Sequence, residues 1–278
     1  MDTRFWGPSG WRLLHLISFA AGDLSQQKLR VFFENLPYAL PCKFCRASLT
    51  DYYAADPIPD DPTDMAKWLY RIHNRVNGKL RDQKLLEAKN PTWDEIEKRY
   101  RDWLAAPCSA RRMIGWDFLF SVAYTTPCAQ VATSPMPDAP PIEALTTPAL
   151  RNRWGLITNK ERIPFIVEWW AALPYVLPFQ EWRDAWKRAV DGAPPVGKGR
   201  KAVTSWLYAA ENAMCAALQE SAPHGSFTGL CSELSAFSSG CGKRTTKRMK
   251  TCSAVKSHAR KTMTRRRKKL LGGSRLVL

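Results

Sequence analysis

Three stretches of this chain occur twice, in the same order. SGWRLLHLISF at 9–19 resembles IGWDFLFSVAY at 114–124, LPYALP at 36–41 recurs as LPYVLP at 173–178, and WLYRIHNRVNGKL at 68–80 recurs as WLYAAENAMCAAL at 206–218. Leu36 and Trp68 are 32 residues apart, Leu173 and Trp206 are 33 apart, and between the first two matches the later copy is about 32 residues longer. That excess is the length of a Pro-rich insertion at 125–148 with its flank. Collinear order with one insertion argues for an internal duplication. It predicts two related units, residues 1–108 and 109–240, followed by a segment 241–278. No stretch sustains two-residue apolar alternation, so the expected fold class is all-α.

Local signals place the helices. Gly7-Pro8 reads as a turn, with Ser9 capping a helix from about Gly10 to Ala21, and residues 25–36 read as a second helix. A Pro-bounded turn then leads into PCKFCRASLTDYY. ADPIPDDP is a rigid break before DMAKWLYRIHNRVNGKL, a long helix that sets His73 and Asn77 on one face and Leu69, Val76 and Leu80 on the apolar side. NPTWDEIEKRYRDWL opens on a capping box, Thr92 to Glu95, and gives a fifth helix.

Cys42 and Cys45 are two thiols spaced for closure without backbone movement, at a helix N-terminus whose dipole favours the thiolate. CxxC alone is also half of a zinc site, although no second CxxC exists in the chain. A looser set, His224, Cys231, Cys241 and Cys252, is the remaining zinc alternative. In the later copy Phe179 and Trp182 stand in place of the two cysteines, Phe120 in place of His15, Glu211 of His73, Cys215 of Asn77 and Ala217 of Lys79. The packing set Trp116, Leu173, Tyr175, Trp206, Leu207 and Leu218 is retained. The second unit is therefore expected to keep a fold without the chemistry.

The net charge of +17 is concentrated: residues 243–278 hold 14 Lys and Arg and no Asp or Glu, leaving +3 for the rest. That basic tail has too few large apolar residues to bury a core and is expected to be disordered. Phosphate contacts with nucleic acid, nuclear import, or binding to an acidic partner all suit it, whereas base stacking does not, since it has no aromatic residue. No apolar run reaches the roughly 18 residues of a membrane span, so no membrane partner is expected. MDTRFWGPSG lacks the basic and apolar regions of a secretory signal. Eight cysteines with one close pair suit a reducing compartment and one reactive dithiol.

WGPSGWRLLH, LPCKFCRASL and HNRVNGKL, in that order, resemble the Erv/ALR family of FAD-dependent sulfhydryl oxidases across residues 5–108. The resemblance implies a helical bundle around a flavin, with Cys42 and Cys45 as the redox pair. It implies oxidation of protein dithiols to disulfides, with electrons passed to O2 to give H2O2. Carried over by position, Gly7, Ser9, Trp11, His15, His73, Asn74, Val76, Asn77, Lys79 and Tyr100 are the FAD-binding candidates, Tyr100 standing where relatives have Trp. Cys42 is expected to be the outer sulfur and Cys45 the inner one. No shuttle pair is evident, and Cys108 falls where short members have a structural disulfide cysteine, but its partner position is absent. Pairing of Cys108, Cys128, Cys215, Cys231, Cys241 and Cys252 stays open. Members commonly dimerise through a helical face, so the degenerate unit is expected to form an intramolecular pseudo-dimer, with further self-association left open. A catalytic unit followed by a divergent helical one also resembles the oxidases of large DNA viruses, which implies host cytoplasm or virion as location, with the nucleus as an alternative set by the tail. The rival reading is a basic nucleic-acid-binding structural protein with a non-catalytic CxxC.

Overall fold

In the computed structural model, which describes residues 1–127, 135–190 and 192–238, no strand occurs among the described residues. Eleven α-helices do: α1 Thr3–Phe19, α2 Gln26–Ala39, α3 Lys43–Ala55, α4 Met65–Asp82, α5 Trp93–Ala105, α6 Trp116–Tyr124, α7 Pro148–Arg153, α8 Asn159–Val176, α9 Gln180–Ala189, α10 Arg200–Ala217 and α11 Phe227–Ala236. The basic tail, Cys128, Cys241 and Cys252 lie outside the described residues.

The all-helical expectation holds, but α1 begins seven residues before the expected start. The Asp2 carboxylate accepts the Arg4 backbone N–H at 3.0 Å and caps the helix there, so Gly7-Pro8 lies within it. Pro8 forfeits one helical bond, while its neighbours Trp6 and Gly10 gain buried positions. α2 likewise continues through Pro37 to Ala39 instead of ending at residue 36. On α5 the Thr92–Glu95 capping box forms as expected. On α4 the buried stripe is Trp68, Leu69, Ile72 and His73, with Val76 and Leu80 only partly covered.

α2 lies along α8, and α1 along α6. The contacts are reciprocal in the register of the sequence matches. Phe32 and Trp169 occupy equivalent positions and stack on each other, centroids 5.1 Å apart. Tyr38 stacks on Phe165 at 4.0 Å, and its equivalent Tyr175 meets the Lys28 ammonium at 5.3 Å, Lys28 being the equivalent of Phe165. Gly10 makes room for Phe118, and Gly115 makes room for Leu13, again exchanging equivalents. A Cβ on Gly10 would lie 3.1 Å from Phe118, and one on Gly115 2.6 Å from Leu13. Contacts of residue i with j are thus matched by contacts between their equivalents. One apolar core runs through both halves.

The later helices fill the positions where the first copy carries polar chemistry. Phe179 and Trp182 are buried and meet edge to face at 4.8 Å, under the Arg111 guanidinium. Phe120 and Glu211 are fully buried, with the His224 ring edge-on to Phe120 and its Nδ1 2.7 Å from Glu211 Oε1. Of the retained packing set, Trp116, Leu173 and Leu207 are buried, but Tyr175 is 44% exposed, its ring serving as a platform for Lys28 and Lys187 instead.

Two outcomes follow from this packing. Gly115 combines a φ of +97° with the tighter approach, so Gly115→Ala should cost roughly 2–4 kcal/mol and Gly10→Ala about 1 kcal/mol. Equal losses of Tm would contradict the asymmetry. Burial disfavours the His224 imidazolium, but the Glu211 carboxylate outweighs it and raises the His224 pKa. A raised pKa stabilises the fold below the unfolded value near 6.5, and that contribution is lost as pH rises through the folded value. Tm should therefore fall between pH 6 and 9 in a way that His224→Gln removes.

Candidate functional site

Cys42 caps α3 with extended backbone (φ −115°, ψ 125°), and Cys45 lies in the first turn. Pro41 keeps the preceding Leu40 out of the helical region, at ψ 138°, and Arg46 holds the turn through a 3.0 Å hydrogen bond from Nη1 to Leu40 O. Arg183 makes the equivalent bond to Leu177 O at 2.6 Å, so the arginine-held turn occurs in both matching stretches, while the two cysteines occur only in the first. Cys42 is buried, 7% exposed, and Cys45 is partly exposed. The hydrogen bond from the Cys45 thiol pulls the Cys42 pKa down to about 6, against burial; the Cys45 backbone N–H and the Arg46 guanidinium help. The pair thus carries a negative charge near neutrality, in the form that attacks or leaves a disulfide.

Ser48 and Tyr52 share a face of α3 with Cys45. Lys79 Nζ, from α4, reaches Ser48 Oγ at 2.5 Å. This face of the dithiol helix is turned toward α4.

His15 and His73, from α1 and α4, join Nε2 to Nδ1 at 2.9 Å. Trp11 lies flat on His73 at 3.8 Å, and Tyr100 stacks on His15 at 5.0 Å. Both histidines are held neutral: burial, aided by Arg99, lowers His15 to about 3, and burial lowers His73 well below its usual value. Burial also pushes the Tyr100 hydroxyl up to about 12. The outer ring nitrogens, His15 Nδ1 and His73 Nε2, are buried without a hydrogen-bond partner, a costly state unless another group supplies one. Flat aromatic side chains with two unsatisfied ring nitrogens have the chemistry that a planar heteroaromatic cofactor needs, with Trp11 covering the face of His73 in this structure.

The other candidates divide. Asn77 is buried and donates from Nδ2 to Asn90 Oδ1 at 3.1 Å, which also accepts from Arg81 at 2.8 Å. Asn74 and Val76 are partly exposed on α4, and Ser9 is partly exposed on α1. Gly7 has open space where a Cβ would sit, so no neighbouring protein atom requires glycine there. Sequence reasoning missed Ser48, Asn90, Phe19, Trp93 and Trp103. The last three extend the aromatic array beyond Tyr100. Helical spacing signals them, Phe19 four residues after His15 and Trp103 three after Tyr100, but Asn90 carried only a turn signal before Pro91.

Among the described residues no three His, Cys, Asp or Glu side chains converge as a metal site, and no helix is long and apolar enough to cross a membrane. Cys108 is exposed, Cys215 buried and Cys231 partly exposed, none in a disulfide.

The Erv1/Alr family model matches residues 8–101. Over 106 residues the chain is 31% identical to the protein named mitochondrial FAD-linked sulfhydryl oxidase ERV1 of Saccharomyces cerevisiae, covering 36% of this chain and 53% of the yeast one. The chain thus spans about half the length of that relative. No solved structure matches.

In the reduced chain, iodoacetamide should modify Cys42 with a half-maximal rate near pH 6, against about 8.5 for an ordinary thiol. Cys45→Ala should return the midpoint toward that ordinary range. Peptide mapping across pH checks this, and an unchanged midpoint in the variant would contradict the assigned cause.

Proposed function

We propose, from the match of residues 8–101 to the Erv1/Alr family model, that this chain is an FAD-linked sulfhydryl oxidase that makes disulfides in protein dithiols and delivers the electrons to O2 as H2O2. One observation carries the reading: the Cys42–Cys45 helix is tied through Ser48 and Lys79 to α4, which also places His73 against Trp11 and His15.

The protein chemistry is thiol–disulfide exchange. A substrate thiolate attacks Cys42 of the oxidised pair. The Cys42–Cys45 bond breaks, a substrate–Cys42 mixed disulfide forms, and Cys45 leaves as a thiolate on the face shared with Ser48. The second substrate thiol loses its proton to water and attacks the mixed disulfide. This forms the substrate disulfide and releases Cys42 as a thiolate. When bound, FAD supplies the acceptor for the electron pair left on the dithiol and the centre that O2 reoxidises. Trp11, His15, His73 and Tyr100 would hold its ring system, the two free histidine nitrogens would offer it hydrogen bonds, and Lys79 would offer its phosphates a cation. Burial keeps both histidines neutral, so they orient without adding charge beside the ring. Because Cys42 is 7% exposed, a substrate reaches it only after covering side chains move.

The second unit, residues 109–240, serves as an internal partner. The reciprocal Gly10–Phe118 and Gly115–Leu13 contacts and the Phe32–Trp169 stack support an intramolecular pseudo-dimer. With Phe179, Trp182, Phe120 and Glu211 filling its equivalent positions, it holds no second cofactor. The order of units, catalytic first, supports a viral oxidase acting on virion proteins in the host cytoplasm. The basic tail would hold it to nucleic acid or an acidic partner.

The purified chain should be yellow, with one FAD per polypeptide, and should consume O2 with dithiothreitol. Cys45→Ser should keep the colour and lose the O2 consumption. A colourless protein after refolding with excess FAD, or full turnover in the variant, would refute the reading.

A further inference from the structure

Helix α2 ends at Ala39, and Leu40 N makes the closing bond to Leu36 O at 3.1 Å. The next carbonyl, Pro37 O, would ordinarily accept from the residue four places on. That residue is Pro41, which has no N–H. The sequence immediately before the dithiol therefore creates a carbonyl that its own helix cannot satisfy, and the following one, Tyr38 O, lies beyond the closing bond.

Donors from the second half of the chain fill both positions. Asn152, on α7 and 1% exposed, donates from Nδ2 to Pro37 O at 3.2 Å and to Thr50 Oγ1 at 2.9 Å. Arg162, at the start of α8, donates from Nε to Tyr38 O at 2.8 Å. Thr50 in turn donates to Arg46 O at 2.9 Å, and Arg153 pairs with Asp51 at 2.6 Å. Asn152 thus bridges the end of α2 and the body of α3, the two helices that flank the turn bearing Cys42. A buried side-chain amide aimed at a carbonyl stranded by proline is a specific bond, costly to leave unmade.

We propose that Asn152 is a positioning residue for the redox turn. Its amide replaces the donor that Pro41 lacks and clamps α2 to α3, so that the second unit holds Cys42 and Cys45 at disulfide geometry. The proposal rests on that dithiol being the reactive pair. A disulfide forms only within narrow distance and torsion limits, so fixing both flanking helices raises the effective concentration of one sulfur at the other. Releasing the clamp leaves both thiols in place but makes the bond between them easier to reduce.

The test is equilibration of the full-length chain with glutathione buffers. Two glutathione thiols reduce the Cys42–Cys45 disulfide to the dithiol and form glutathione disulfide. The two forms are trapped by alkylation and counted by mass. Asn152→Asp keeps the size and removes the donor, and should move the equilibrium about tenfold toward the dithiol. Thr50→Val removes the α3 end of the bridge and should move it the same way by a smaller factor, which keeps the test open if the first variant fails to fold. Both variants holding the unaltered equilibrium within twofold while melting cooperatively would overturn the proposal. This readout needs no O2 turnover, so a shifted equilibrium in a chain with no oxidase activity would sustain the clamp and reject the oxidase reading, and the converse result would do the opposite.

Discussion

Phe32 and Trp169 stack across the seam between α2 and α8, and most of the architecture depends on that seam. Each residue is the sequence equivalent of the other, so the contact lies where the two copies meet themselves. Burying two large aromatics is worth roughly 2–3 kcal/mol each, and the ring pair adds about 0.5–1.5 kcal/mol. Against a total stability on the order of 5–15 kcal/mol, this one contact is a substantial share. It also fixes register: sliding α2 along α8 by one turn would lose the Tyr38–Phe165 stack as well.

The seam reaches the chemistry through α2. Its C-terminal end delivers the chain to Cys42, and Pro41 leaves that end short of a donor. Docking α7 and α8 against α2 and α3 supplies the missing hydrogen bonds from Asn152 and Arg162. On the far side, α1 sits between α6 and α4, so the packing that joins the copies also presses His15 against His73. The low pKa values of those histidines follow from this burial, as does their orientation. The second copy uses the same scaffold with Phe120, Glu211 and His224 closing the equivalent space.

Much of this was legible in the sequence. The helical class, the CxxC at a helix start and the Thr92–Glu95 capping box rest on local chemistry, and the structure agrees with each. The matches LPYALP and LPYVLP lie at equivalent places because both copies need the same proline-ended helix before the same turn. Other features depend on partners distant in sequence. Nothing near Asn152 announces that it will meet Pro37 and Thr50, and nothing near Glu211 announces that His224 will pair with it. The early start of α1 was missed because Gly7-Pro8 is a strong turn signal, overridden by the Asp2 cap and by burial of Trp6 and Gly10. Tyr175 was expected to pack as Tyr38 does. Its counterpart across the seam is Lys28 in place of Phe165, which leaves the ring exposed.

The central claim is that the two copies form one cooperative body about the α2–α8 seam. Native-state hydrogen exchange on the full chain, reading the slowest amides of α2 and α8, tests it most directly. The account predicts a common opening free energy for the two helices, and an equal drop in both when Phe32 is replaced by Ala. If α8 opened at markedly lower cost than α2, or if the replacement lowered protection in α2 alone, the copies would be independent neighbours and the account would fail.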